Sequence, residues 1–204
     1  MKVKKIAKGM LSANCYILYK DYEAVVIDPG VKAKVIIEFL EANKLSLKYI
    51  IFTHGHIDHI LYAKELKNGT NAKIVVHYLD NELLVDSYKN GAYLFGLNNK
   101  FENGDILVRD GDQIIFSNIK LDIIFTPGHT PGGICVRYNE QLFSGDTLFY
   151  MSIGRADLGM GDHEQLIDSI KNRLFVLADS TIVYPGHGKN TTIGDEKKNN
   201  LYVV

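Results

Sequence analysis

The sequence predicts an α/β fold, and three observations support this prediction. Short apolar segments of strand length alternate with segments whose apolar residues recur at helical spacing. Several of the apolar segments run into turns that carry His or Asp, so polar groups gather where strands end. The chain has 204 residues, of which 46% are hydrophobic, and no low-complexity stretch divides it. We therefore expect one domain that spans residues 1–204.

The charge balance argues against polyanionic partners. The chain carries 23 basic and 24 acidic residues, so it has no positive excess to bind nucleic acid or an anionic membrane surface. No apolar run approaches the ~20 residues of a membrane-spanning helix, and the N-terminal segment lacks the apolar core of a signal peptide. Cys15 and Cys135 lie far apart in strand-like segments, which indicates buried free thiols. We expect a cytoplasmic protein, either a monomer or a small homo-oligomer.

The first half of the chain predicts two rounds of strand, turn and helix. Apolar strands lead to the turn sequence Asp28-Pro29-Gly30, and the apolar residues between Val35 and Leu40 have the spacing of an amphipathic helix. The predicted strands are 14–19, 24–28, 49–53 and 73–77, and the predicted helices are 32–43 and about 59–67, the latter ending at Asn68-Gly69.

Residues 78–101 are the least regular part of the chain, and they are rich in Tyr, Phe, Asn and Gly. We expect this segment to be largely helical and to cover the site. Its aromatic residues Tyr88, Tyr93 and Phe95 would either form a wall of the pocket or only anchor the segment.

The second half repeats the pattern of strands that run into turns. The predicted strands are 112–116, 121–125, 133–138, 141–146 with its turn, and 181–184. Between the last two, Asp162 and Gln165 have the spacing of a capping box, which predicts a helix that continues to about Phe175.

Four potential metal ligands lie within six residues, in the sequence HGHIDH at 54–59. His54 and His56 are two residues apart, so in extended backbone their imidazoles project to the same side and can hold one metal ion. Gly55 allows the backbone to turn tightly. Asp58 and His59 begin the next helix, where they can address a second metal ion beside the first.

Three further candidate ligands follow later strands, each in a turn that contains Gly: His129, Asp146 and His187. Together the seven residues indicate one dinuclear metal site. Imidazole and carboxylate ligands without Cys suit two divalent ions, zinc in the first place, with iron or manganese as alternatives. His77 and His163 lack ligand spacing, and we interpret both as non-ligands.

Four segments resemble the successive signatures of the metallo-β-lactamase superfamily. They are THGHIDH at 53–59, TPGHTPG at 126–132, FSGD at 143–146 and YPGHG at 184–188. Residues 144–157 and 186–196 most resemble the glyoxalase II-like (hydroxyacylglutathione hydrolase-like) members, especially the short single-domain ones. The resemblance covers about residues 11–200 and implies a four-layer αββα sandwich with the site at one edge between the two sheets.

The resemblance also implies roles for the candidate residues. It assigns His54, His56 and His129 to one metal ion, assigns Asp58, His59 and His187 to the other, and makes Asp146 the bridge. Asp28 matches the position that orients the ligand loop in this superfamily, although a residue that merely forms the turn is an equally good interpretation.

A hydrolytic mechanism follows from two adjacent cations. A water between them loses its proton near neutral pH and becomes a hydroxide nucleophile. Asp58 can both bind metal and accept a hydrogen bond from this hydroxide, which makes it the candidate catalytic residue. A thioester is the expected substrate class, because its thiolate leaves without help from a general acid.

Substrate contacts are expected just after the bridging Asp146. Phe149, Tyr150 and Arg155 could line the cleft, with Arg155 binding a carboxylate, although an ion pair between Arg155 and Asp157 is an equal alternative. Lys197 and Lys198 are interpreted mainly as solvated side chains.

The chain departs from glyoxalase II proper in two places. Gly55 occupies a position where that family usually has His, and the C-terminal helical domain that grips glutathione has no counterpart in the few residues after His187. Glutathione specificity is therefore an open alternative. Two other functions also remain: a mononuclear iron persulfide dioxygenase-like oxidoreductase, whose last motif usually reads AHD where this chain has Gly186-His187-Gly188, and a non-catalytic metal-binding member.

Overall fold

Two six-stranded β-sheets form the centre of the computed structural model, which describes residues 1–7, 9–97 and 101–203. The first sheet contains β1 (Lys2–Ile6), β2 (Cys15–Lys20), β3 (Glu23–Ile27), β4 (Ser46–Ile51), β5 (Lys73–His77) and β6 (Ile106–Val108), in that order. Its first three strands are antiparallel, and β3 to β6 are parallel.

The second sheet comes from the other half of the chain. The strands of this half are β7 (Gln113–Phe116), β8 (Ile119–Phe125), β9 (Ile134–Tyr138), β10 (Gln141–Gly145), β11 (Leu148–Phe149), β12 (Ser152–Ile153), β13 (Ile182–Pro185) and β14 (Thr191–Thr192). The sheet order is β14-β13-β10-β9-β8-β7, and β11 pairs with β12 in a separate hairpin. Strands β10 and β13 are parallel, so their carboxyl ends lie at the same edge.

Helices cover the outer faces of both sheets. They are α1 (Ala33–Ala42), α2 (Ile57–Ile60), α3 (Ala63–Thr70), α4 (Asn81–Val85), α5 (His163–Ser169) and α6 (Ile193–Asn199), with short 3₁₀ turns at Met10–Ser12 and Ala92–Phe95. Among the described residues, no helix combines the length and apolar character needed to cross a membrane.

Three apolar clusters hold these layers together. The inner cluster joins side chains of both sheets, such as Val25 and Ile51 with Ile123 and Phe143. One outer cluster packs α1 and α3 on the first sheet, and the other packs α5 and α6 on the second. The layer order is therefore helix, sheet, sheet, helix, which confirms the predicted αββα sandwich.

The structure corrects the predicted helix after the HGHIDH sequence. Instead of one helix over about 59–67, there are two, α2 and α3, and α3 continues to Thr70. The predicted stop at Asn68-Gly69 is wrong because Gly69 stays helical where α3 approaches Ile37 of α1. The left-handed residue that ends the helix is Asn71, with φ 58°.

The helix predicted up to Phe175 is also shorter than expected. The carboxylate of Asp162 accepts a hydrogen bond from the backbone of Gln165 at 3.0 Å, which confirms the predicted N-cap. However, α5 ends at Ser169, and a π-helical turn at Ile170–Leu174 follows. The strand predicted at 73–77 is observed with the same bounds, and the other predicted elements agree with the observed ones to within three residues at each end.

The segment predicted to cover the site is only partly helical. It contains α4 and the 3₁₀ turn, while its residues 98–100 lie outside the described part of the chain. Tyr88 and Tyr93 are exposed and stack on each other, with ring centroids 4.4 Å apart. Both Cys15 and Cys135 are buried free thiols, as predicted.

Candidate metal centre

The seven predicted ligands come together at the edge where the strands of both sheets end. Four of them lie in the loop after β4 and in α2. Gly55 in this loop leaves room for Leu83, because a Cβ at residue 55 would lie 2.8 Å from Leu83 Cβ. Turns after β8, β10 and β13 bring His129, Asp146 and His187 to the same place. The site is therefore assembled from both halves of the chain.

We call His54, His56 and His129 the first ligand set. One nitrogen of each ring lies within 4.8 Å of the others, and all three side chains are buried or partly buried. His56 Nδ1 is 2.9 Å from His129 Nε2. The set consists of imidazoles alone, as the resemblance implied for one metal ion.

The second ligand set is Asp58, His59 and His187, whose candidate ligand atoms also lie within 4.8 Å of one another. His187 Nε2 is 3.2 Å from Asp58 Oδ2 and 3.2 Å from His59 Nε2. This set adds a carboxylate to two imidazoles, so it brings negative charge that the first set lacks.

Asp146 lies between the two ligand sets. Its Oδ1 is 3.3 Å from His59 Nε2, and its Oδ2 is 3.7 Å from His129 Nε2 and 3.6 Å from His187 Nε2. A carboxylate in this position can address a cation in either set, as expected of a bridging ligand.

Two buried polar atoms of this cluster have no hydrogen-bond partner among the described residues: His54 Nε2 and Asp146 Oδ1. Buried polar atoms are rarely left unpaired, because each one costs roughly 1–3 kcal/mol. A cation between the ligand sets would satisfy both atoms. The cluster therefore fits a metal site on its own geometry.

Charge states differ between the two sets. Burial and the nearby His59 lower the pKa of His54 well below its usual value. Burial and the neighbouring His129 lower the pKa of His56 to about 3. Both imidazoles are neutral at physiological pH and offer lone pairs to a cation.

The imidazoles of the second set behave in the opposite way. Burial disfavours a charged His59, but the carboxylates of Asp146 and Asp58 outweigh it and raise the pKa of His59 well above its usual value. Burial likewise disfavours a charged His187, and its hydrogen bond to Asp58 outweighs this and raises its pKa. Protons therefore occupy part of the second set in the absence of a cation.

Hydrogen bonds to buried groups fix how the imidazoles point. Asp28 accepts from the backbone and hydroxyl of Thr53 at 2.8 and 2.7 Å, and it lies 2.9 Å from His59 Nδ1. The Thr53 hydroxyl, which donates to Asp28, is 3.1 Å from His54 Nδ1 and can accept a hydrogen bond from it. His54 and His59 thus turn Nε2 toward the site.

Asp28 itself is a buried residue with φ 53°, so it does form the predicted turn as well. These contacts favour the interpretation in which it orients the ligand loop. His129 is held similarly, because its Nδ1 donates to the Arg155 carbonyl at 2.6 Å and its Nε2 faces His56 within the first ligand set.

Asn14 was not identified from the sequence, yet it holds the loop that carries His187. Its side chain donates to the carbonyls of Pro185 and Gly188, and its backbone donates to Gly186. Asn14 is more than 170 residues away from its side-chain partners. Asp80, which bonds two ligand loops, was missed for the same reason.

The predicted substrate residues lie beside both ligand sets: Phe149 contacts His187, and the Arg155 carbonyl contacts His129. The Phe149 ring meets the His187 ring edge to face at 6.0 Å. Tyr150 is exposed, and the ammonium group of Lys189 lies 3.6 Å from the centroid of its ring. Lys189 was not identified as a site residue from the sequence. Arg155 makes the two-bonded ion pair with Asp157 that was one of its two predicted alternatives.

The two remaining histidines of interest are structural in their contacts. His77 is buried and stacks on Phe125 with centroids 4.5 Å apart, while His163 begins α5. Within the described chain, neither belongs to a group of residues that could hold a metal ion.

Comparison with known proteins places this geometry in context. Residues 9–187 match the model of the Metallo-beta-lactamase superfamily. Hydroxyacylglutathione hydrolase GloC of Haemophilus influenzae is 36% identical, and the match covers 100% of this chain and 98% of that protein.

Two solved structures are similar over nearly their whole length. The structure of BLEG-1, a B3 metallo-beta-lactamase, superposes with a TM-score of 0.93 at 35% identity and covers 100% of both chains. The structure of TTHA1623 in a di-iron-bound form superposes with a TM-score of 0.87 at 30% identity, covering 98% of this chain and 99% of that chain.

Proposed function

Because this chain belongs to the Metallo-beta-lactamase superfamily, we propose that it is a metal-dependent hydrolase of hydroxyacyl thioesters that works with two divalent metal ions. One observation carries this proposal: the first and second ligand sets lie side by side, with Asp146 between them. The full-length similarity to a hydroxyacylglutathione hydrolase supports the substrate class.

The first ligand set would hold one ion and the second ligand set the other. Asp146 would contact both ions. When bound, the two cations would acidify a water molecule and polarise the substrate carbonyl. Zinc, iron and manganese all accept these ligands, and the similarity to a protein solved in a di-iron-bound form supports iron as an alternative to zinc.

Asp58 is the proposed catalytic residue because of its charge and position. Burial raises its pKa, but the neighbouring His59 and the hydrogen bond from His187 outweigh this and lower it, so the carboxylate is ionised at neutral pH. A carboxylate beside the cluster can accept the hydrogen bond of the attacking water and fix its lone pair toward the substrate.

The substrate is proposed to enter beside His187, where Phe149 offers an apolar ring and Tyr150 an aromatic face. Lys189 adds a positive charge at this place, which favours a thiol carrier that bears a carboxylate. Because a thiolate leaves without a proton, the reaction needs no side chain reserved as a general acid.

The decisive experiment measures metal content and thioester hydrolysis on the same purified protein. We expect close to two metal ions per chain and hydrolysis of S-lactoylglutathione that a chelator abolishes and added metal restores. Asp58→Asn should lower the rate by roughly 10²–10⁴-fold while the protein stays folded by circular dichroism. A protein without metal, or one that hydrolyses no thioester, contradicts the proposal.

Hydrolysis of a β-lactam ring is the second candidate, because the similarity to a B3 metallo-beta-lactamase is equally complete. A chromogenic β-lactam assayed beside the thioester separates the two: the substrate with the higher kcat/KM identifies the activity. Oxygen uptake with a persulfide, together with a single iron ion, would replace both hydrolytic functions by that of an oxygenase.

A further inference from the structure

Asp80 is a fully buried carboxylate that touches none of the seven candidate ligands by a hydrogen bond, yet it joins two of the loops that carry them. It is 0% exposed. Its Oδ2 accepts from the Gly55 backbone at 2.9 Å and from the Thr130 hydroxyl at 2.8 Å. Its Oδ1 accepts from the Gly132 backbone at 2.6 Å. A buried charge is costly unless such donors surround it.

The donors are neighbours of the first ligand set only. Gly55 lies between His54 and His56, and Thr130 directly follows His129. Asp80 therefore ties together the two loops whose imidazoles come within 2.9 Å of each other.

The Asp80 side chain bonds the two ligand loops and does not cap the helix that follows it. Asp80 is the N-cap residue of α4, where Asp normally accepts a backbone hydrogen bond worth about 1 kcal/mol. Its side chain makes no such bond to any described residue of α4. Both carboxylate oxygens are instead directed to the ligand loops.

The packing around Asp80 explains why glycines occupy both loops. A Cβ at residue 132 would lie 2.6 Å from Asp80 Oδ1, and a Cβ at residue 55 would lie 2.8 Å from Leu83 Cβ. Both distances are too short for a side chain. Gly55, the departure from the usual family sequence, thus allows the turn of Asp80 and α4 to approach the first ligand set.

From these contacts we infer that Asp80 is a positioning residue, which sets the spacing of His54, His56 and His129 for a divalent cation without binding it. The inference rests on the proposed metal centre. Groups that orient metal ligands typically contribute 10–100-fold in metal affinity. Asp80 should contribute to the first ligand set and not to the second, whose His59 is held by Asp28.

Metal titrations in two backgrounds test this selectivity. His187→Ala removes a ligand of the second set and leaves the first intact, whereas His56→Ala does the reverse. Each background, with and without Asp80→Asn, is titrated with Zn²⁺ against a chromophoric chelator. Asp80→Asn should weaken binding roughly 10–100-fold in the His187→Ala protein and by less than about threefold in the His56→Ala protein.

Asp80→Asn removes one of the two acceptor oxygens of the side chain. An amide at residue 80 has one acceptor oxygen, so its NH₂ group must face at least one of the N–H or O–H donors that the carboxylate satisfies. Thr130→Val removes a single bond, and it should weaken binding to the first set by a smaller factor. It serves as the second variant if Asp80→Asn does not fold.

Glu196→Gln is the matched control for a lost buried carboxylate. Glu196 is also 0% exposed, and it accepts hydrogen bonds from the Met151 backbone, Thr191 and Asn200. It should lower the melting temperature but leave the Zn²⁺ affinity of the first set unchanged.

The outcomes separate this inference from the proposed function. Equal weakening in both backgrounds, or none in the His187→Ala protein, shows that Asp80 serves only the fold and overturns its assigned role. If the His187→Ala protein binds no Zn²⁺ at all, the first metal position fails, and both the proposed function and the role of Asp80 fall with it.

Discussion

The two ligand sets lie a few ångströms apart, but they differ in charge and in protonation when no cation is bound. The first contains only imidazoles, and burial keeps His54 and His56 neutral, with the pKa of His56 lowered to about 3. The second contains Asp58, and nearby carboxylates raise the pKa of His59 and His187. The first set therefore holds lone pairs ready for metal, whereas the second must exchange protons for metal.

The largest effect is expected when the residue between the two ligand sets is removed. Asp146→Ala takes away the carboxylate that lies 3.3 Å from His59 and 3.7 Å from His129. We expect it to weaken binding of both ions by at least about 100-fold and to abolish hydrolysis. Metal analysis after dialysis checks this. Retention of two ions per chain would show that Asp146 bridges nothing.

A smaller effect is expected when one set alone is damaged. His187→Ala should release one ion per chain and leave the other, because the candidate ligands that His187 contacts are second-set groups and Asp146. His56→Ala should do the same for the other ion. Co²⁺-substituted proteins measure this, since the two variants should give different absorption spectra. Identical spectra would mean that one shared site exists instead of two.

That the seven candidate ligands lie together could be predicted from the sequence, because short motifs contain them. HGHIDH at 54–59 contains four candidate ligands, and the turns with His129, Asp146 and His187 each follow a recognisable strand. The αββα layers followed from the resemblance that these motifs carry. Asp28, at the end of a strand before a Pro-Gly turn, was also identified through this resemblance.

The groups that hold the ligands in place could not be predicted in the same way. Asp80 bonds Gly55 across 25 residues and Gly132 across 52, and Asn14 bonds Pro185 across 171. No local pattern reports such contacts, because they exist only once the two sheets are packed. The end of α3 was misplaced for a similar reason: the contact of Gly69 with Ile37 is a tertiary one.

The pH dependence of metal affinity should differ between the two ligand sets, because metal binding displaces protons from the second set. A raised pKa keeps His59 and His187 protonated up to a higher pH, so metal must compete with protons there. As pH falls, the affinity should drop by up to about tenfold per pH unit for each proton displaced. The His187→Ala protein, which keeps the first set, should lose less affinity between pH 8 and 6, because the pKa of His54 and of His56 is lowered. The His56→Ala protein should lose affinity over this range.

Calorimetry in two buffers of different ionisation enthalpy counts the protons directly. Metal uptake by the His56→Ala protein should release protons, and uptake by the His187→Ala protein should release fewer. Equal release from both would show that the carboxylates do not hold protons on the second set.

The smallest expected effect comes from Gly55→Ala, which tests whether close packing at residue 55 helps to position the imidazoles of the first ligand set. The new Cβ would lie 2.8 Å from the Leu83 Cβ, so α4 or the loop must shift, at a cost of roughly 1–3 kcal/mol in the free energy of unfolding. Because residue 55 separates His54 from His56, the shift should weaken Zn²⁺ binding in the His187→Ala background by a few-fold.

Gly96→Ala is the control, since its φ of 67° is strained for Ala but its Cβ would meet no described atom within 4 Å. It should destabilise the protein and leave both metal affinities unchanged. If Gly55→Ala lowers the affinity of both ligand sets equally, the loop responds as one body. The two sets would then differ only in their charge, because a change in the geometry of one would also change the geometry of the other.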